Sequence, residues 1–83
     1  MTDLSEAKRL GILRQVGDES PGFSEGLQQG FSMANNGAIK PKNEAIDAMA
    51  RKSASENPTA NANRGTYVHN WKAGFDWGWR KGK

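Results

Sequence analysis

Tyr67-Val68-His69-Asn70-Trp71-Lys72-Ala73-Gly74-Phe75-Asp76-Trp77-Gly78 decides the fold, because it repeats the pattern of Phe23-Ser24-Glu25-Gly26-Leu27-Gln28-Gln29-Gly30-Phe31-Ser32-Met33-Ala34. Phe23, Leu27, Gly30, Phe31 and Ala34 sit at i, i+4, i+7, i+8 and i+11, and Tyr67, Trp71, Gly74, Phe75 and Gly78 keep the same intervals 44 residues later. Those intervals mark one side of an α-helix. Glycine inside a helix costs about 1 kcal/mol relative to alanine, so Gly26, Gly30, Gly74 and Gly78 need a compensating role. The simplest is steric: without a side chain a second helix can approach closely, an aromatic of one stripe lying over a glycine of the other. The expected fold is all-α, a small bundle of three to four helices, with helices near residues 21–36 and 64–80 packed through these stripes.

Outward from this pair, the flanking residues supply ends and companions. Ser20-Pro21 reads as a helix start, serine capping and proline preset for the first turn. Asn35-Asn36-Gly37 closes that helix with residues that tolerate the left-handed conformation. Lys40-Pro41-Lys42 is a connector, and Asn43 is expected to cap a third helix from Glu44 to about Ser53, with Ile46, Met49 and Ala50 inward. Residues 54–63 are poor in bulky apolar groups and read as a loop or linker. Within residues 1–20, Leu4, Ala7, Leu10 and Leu13 recur at helical spacing, which predicts an N-terminal helix or extension from Thr2 or Ser5 to Gln15; Gly11 to Val16 also suits a short strand. The terminal Lys81-Gly82-Lys83 is expected to fray.

Eighty-three residues are expected to form a single domain with a thin core, since a chain this short buries only about 60% of its unfolded surface. There is no cysteine and one histidine, too few for a Cys- or His-based metal site, a thiol nucleophile or a histidine relay. Gly26-x-x-x-Gly30 lacks the Lys-Ser/Thr continuation of a phosphate-binding loop. The reading is therefore of a non-catalytic protein without metal or cofactor. No stretch approaches the roughly 20 apolar residues of a membrane span, and the first residues lack the pattern of a signal peptide. Together with the absence of cysteine, this gives a cytoplasmic expectation.

Charge and aromatics concentrate at one end. Residues 64–83 hold all three tryptophans, the one tyrosine and the one histidine and carry a net charge of +4, against −1 for residues 1–63. Rings among cations suit a partner with bases to stack on and phosphates to neutralise. Tyr67, Trp71 and Phe75 belong to the core stripe, whereas at about 100° per residue Trp77 lies far from that line and Trp79 at its edge. At least one of Trp77 and Trp79 should be partly exposed, to stack on a base or pack against a protein. Lys72, Arg80 and Lys81 are the candidate phosphate contacts, with Arg64, Lys40 and Lys42 secondary, although the same cations also suit a solvated face and a helix C-terminus. His69 reads as a surface or capping residue. Two functions follow: association with RNA or the ribosome, or, from a different class, a small phage-type regulator that binds a host protein through a tryptophan-rich surface. Leftover aromatics beside a thin core also suit a homodimer.

Gln29-Gly30-Phe31 with Gly37 downstream, Asn57-Pro58 in the connector and Trp71-Lys72-Ala73-Gly74-Phe75 together resemble ribosome modulation factor and its small bacterial and phage relatives. The likeness spans roughly residues 26–37 and 57–79, less than half of the chain. It implies a short, basic, two-helix core with a proline-containing connector and a ribosome-associated role. The chain departs from that pattern in its longer connector with an extra helix, in its first twenty residues, and in the absence of Lys and Arg between Gly22 and Gly37.

Overall fold

A computed structural model of the chain describes residues 3–16, 19–57 and 63–83. The described residues form four helices: α1 (Asp3–Arg9), α2 (Phe23–Asn35), α3 (Asn43–Glu56) and α4 (Arg64–Gly82). Among the described residues there is no strand, only one isolated antiparallel bridge between Val16 and Glu19. The all-α fold and the α2–α4 pair are as the stripes predict.

The seam between those two helices is tighter than the stripes imply. A Cβ built on Gly22, Gly26 or Gly30 would overlap the carbonyl oxygen of Tyr67, Trp71 or Phe75 respectively; one built on Gly74, Gly78 or Gly82 would overlap that of Phe23, Leu27 or Phe31. What lies over each glycine is thus a peptide carbonyl, not an aromatic ring. Both series advance together in steps of four residues, so α2 and α4 run parallel in a fixed register and interlock their i±4n rows. Each carbonyl occupies the direction of a missing side chain, above a Cα–H, a geometry that recurs at close helix pairs and contributes about 0.5–1 kcal/mol per contact. Gly22 and Gly82, outside the sequence stripe, complete three glycines per helix.

Close approach also decides where side chains go. No room remains between the backbones for the side chains of Leu27 and Phe31, whose carbonyls touch the glycines. Leu27 is therefore only half-buried and Phe31 is 43% exposed rather than inward. Tyr67, Trp71, Phe75 and Trp79 form the core with Val68 and with Ile46, Ala50 and Ala54 of α3, and Met33 and Ala34 of α2 pack against it. Trp71 and Phe75 stack at 5.5 Å between ring centroids, and Phe75 and Trp79 at 6.0 Å. The three α3 residues fall at four-residue spacing, so small side chains admit the broad rings.

Several element ends differ from expectation. The start of α2 is Gly22, not Ser20, at φ 94° with no side-chain cap; a left-handed residue pressed against the Tyr67 backbone has to be glycine. At the other end, Gly37 has φ 78°, and the bonds Ala38 N–H to Met33 O (3.0 Å) and Gly37 N–H to Ala34 O (3.1 Å) make the Schellman closure that Asn35-Asn36-Gly37 predicts. Asn43 is the first residue of α3 and Lys42 its N-cap. The same helix continues through Glu56 because Ala54 is buried in the core, so residues 54–56 are helix rather than linker; 58–62 lie outside the described residues. The helix most shortened against expectation is α1: Leu10 is 57% exposed and Gly11 turns the chain at φ 73°. Conversely α4 continues through Gly82, held by the seam where fraying was expected.

The molecule is a slab of 35 × 30 × 17 Å. Its central helix, α4, has α2 on one side, α3 on the next and residues 12–14 on a third. The remaining side carries exposed Gly65 and Arg80 and half-buried His69, Lys72 and Asp76.

Candidate nucleic-acid interface

Cations from three separate segments meet at the N-terminal half of α4. Arg64, Gly65, Val68, His69 and Lys72 of α4, Arg51 of α3 and Arg14 of the N-terminal segment line one open cleft of about 450 Å³. The α4 N-terminus adds to the field: its first turn contains no acid, and the N-cap Asn63 makes no side-chain capping bond. A helix start places partial positive charge where Arg64 and Gly65 sit. Asp47 opposes it. Lys72 Nζ donates to Asp47 Oδ1 at 2.9 Å and Arg51 Nε to Oδ2 at 2.7 Å. Hydrogen bonds from Lys72 and then Arg51 hold the Asp47 carboxyl below its ordinary range.

Arg14 reaches this place through a residue that composition does not single out. Asn70 is fully buried among aromatics. Its Oδ1 accepts from Arg14 N–H at 2.8 Å, and its Nδ2 donates to Arg14 O at 2.7 Å and Pro21 O at 3.0 Å. The amide thus pairs with Arg14 as a strand neighbour would, and also ties down the approach to α2. From the preceding residue, His69 Nε2 donates to the Ile12 carbonyl at 2.9 Å, which places His69 as a structural clamp at the cleft wall. A third polar anchor joins α3 to α4: the Tyr67 hydroxyl lies 2.9 Å from Ser53 Oγ and accepts from Asn57 Nδ2 at 3.4 Å.

The structure redistributes the sequence candidates. Arg64 and Lys72 are together in the cleft. Arg80, Lys81 and half-buried Trp77 border a separate hollow with Glu6 and Leu10, roughly 320 Å³ in size. There Trp77 meets Phe23 edge-on at 6.4 Å. Trp79 is corrected outright: it is 5% exposed and stacked on Phe75, so it is core and has no face for a base. Lys40 pairs with Asp76 at 3.1 Å and tethers the α2–α3 connector to α4, while Lys42 is exposed at the start of α3. Sequence reasoning missed Arg14, Arg51 and His69 as cleft residues. For Arg51 the signal was its i+4 spacing from Asp47; for Arg14, 50 residues before Arg64, there was none.

Among the described residues no group of three or more His, Cys, Asp and Glu side chains is placed to hold a metal, and no helix is long and apolar enough to cross a membrane. Compared with known proteins, the chain matches no protein-family profile, no curated sequence and no solved structure.

Proposed function

We propose that this chain is a small, basic, non-catalytic RNA-binding protein whose principal phosphate-binding surface is the cleft of Arg14, Arg51, Arg64 and Lys72. The observation that carries the reading is the convergence of four cationic side chains from three segments at the N-terminal end of a 19-residue helix. Guanidinium groups pair bidentately with phosphate oxygens, and clustering them without function costs self-repulsion. Arg80, Lys81 and the partly accessible Trp77 extend the same molecule's contact to a second patch, where a ring beside cations suits a base next to its phosphates. The likeness to the ribosome modulation factor family favours ribosomal RNA as the source.

RNA affinity measured at about 50 and 200 mM salt tests this, since neutralising several phosphates makes binding fall steeply across that range. Absence of binding at the lower concentration contradicts the reading. The alternative, a regulator docking on a host protein, draws support from Leu10, 57% exposed beside Trp77. A pull-down with and without nuclease separates the two: partners that persist after nuclease, and at high salt, favour the protein interface.

A further inference from the structure

An acid holds two of the cations that line the cleft. Asp47 projects from α3 with one carboxylate oxygen on Arg51 and the other on Lys72, at 2.7 and 2.9 Å. Arginine and lysine pair with a carboxylate in the geometry they use for two oxygens of a phosphate, so the carboxylate sits where a phosphate would. Resting on the RNA-binding reading, we propose that Asp47 is the built-in counter-anion of the cleft, and that an incoming RNA phosphate displaces it and takes over Arg51 and Lys72.

The exchange is mechanically simple. Asp47 and Arg51 are four residues apart on one helix, and both side chains are partly exposed. Such pairs hold a fold together only weakly. What fixes α3 against α4 is the burial of Ile46, Ala50 and Ala54 against the rings, which displacement of Asp47 leaves untouched. In the unbound protein the carboxylate keeps Arg51 and Lys72 extended over the cleft. It also makes any anion compete for them, which selects ligands dense in phosphate over isolated anions. Competition outweighs positioning here, because removing Asp47 frees two cations at once, and the phosphates then reach them without first displacing a carboxylate.

A single-stranded oligoribonucleotide titrated with wild type, Asp47→Asn and Glu25→Gln between about 50 and 200 mM salt tests the proposal. Glu25 makes the same change in net charge from α2, where it borders other hollows. Asp47→Asn should bind about tenfold tighter at the low-salt end with its salt slope unchanged, because the bound state makes the same phosphate contacts, while Glu25→Gln changes affinity less than about twofold. Equal gains in both variants, or weaker binding by Asp47→Asn, overturn it. Binding by Asp47→Asn without binding by wild type supports the masking role and contradicts the wild-type RNA reading; no binding by any of the three overturns both. A second measurement needs no variant: the Arg51 Nε–H resonance of the wild-type protein should shift when RNA saturates the cleft, and a resonance unmoved at saturation rules the exchange out.

Discussion

Along its buried side α4 meets α2 backbone to backbone, with six glycines each facing a carbonyl. Along its open side, long side chains of α4, α3 and the N-terminal segment border a cleft, placed by the α3 core and by single hydrogen bonds such as those of Asn70 and His69. The seam derives its specificity from the absence of atoms and the cleft from their presence. A methyl group is therefore intolerable in one place and immaterial in the other, whereas a charge removed from the cleft leaves the seam intact. Stability and binding should separate by mutation along opposite sides of one helix.

The largest expected effect breaks the seam. Gly30→Ala would set a Cβ against the Phe75 carbonyl and within 3.0 Å of Trp79 N, and Gly74→Ala would meet the Phe23 carbonyl and Leu27 N at 2.9 Å. Backbone atoms cannot swing aside. Overpacking of this kind costs about 1–3 kcal/mol, against a helix-propensity gain of up to about 1 kcal/mol. Both variants should melt lower, by about 4–8 °C for each kcal/mol lost. A raised midpoint for both would show that the helices do not meet there.

Next in size is the hinge between the two regions. Asn70→Ala leaves the Arg14 N–H and two carbonyls without their partner in a part-buried place, a loss of about 1 kcal/mol or more. It should also release Arg14 from the cleft. Hydrogen exchange at the Arg14 amide should rise well beyond the change in global stability, and equal changes at all amides would mean that Asn70 does not clamp this segment.

How much of this was legible follows the same division. The seam is local and periodic: glycines and aromatics at four-residue spacing mark α2 and α4 in sequence, and their equality predicts the pairing. The atom opposite each glycine was not legible, because a carbonyl belongs to every residue and leaves no mark in composition; nor was the membership of Gly22 and Gly82, which fall outside the aromatic stripe. The cleft is the reverse case. Arg64 and Lys72 were recognisable as cations on the last helix, but Arg14 and Arg51 join them only through tertiary placement by Asn70 and the α3 core. Trp79 misled for a related reason. Its position at the edge of the stripe suggested exposure, whereas the four-residue drift of the seam turns it onto Phe75.

The smallest effect, with the opposite sign, sharpens the contrast. Gly65 lies in the first turn of α4, with nothing within 4 Å of the place its Cβ would take. Gly65→Ala should raise the melting midpoint, by up to about 1 kcal/mol in helix propensity. A lowered midpoint would mean that the open side is more crowded than the cleft geometry allows.

The most direct measurement compares RNA binding by two variants at about 50 and 200 mM salt, with melting curves alongside. Arg14→Gln/Arg51→Gln/Arg64→Gln empties the cleft of guanidinium groups, and Arg80→Gln/Lys81→Gln neutralises the Trp77 patch. The cleft variant should lose most of the affinity and flatten the salt slope by about 2, as expected for three lost contacts to a single strand, with its melting midpoint unchanged. The second variant should lose less on both counts. Full-strength, salt-sensitive binding by the cleft variant, with binding abolished in the other, would contradict the account and return the site to the C-terminal end of α4.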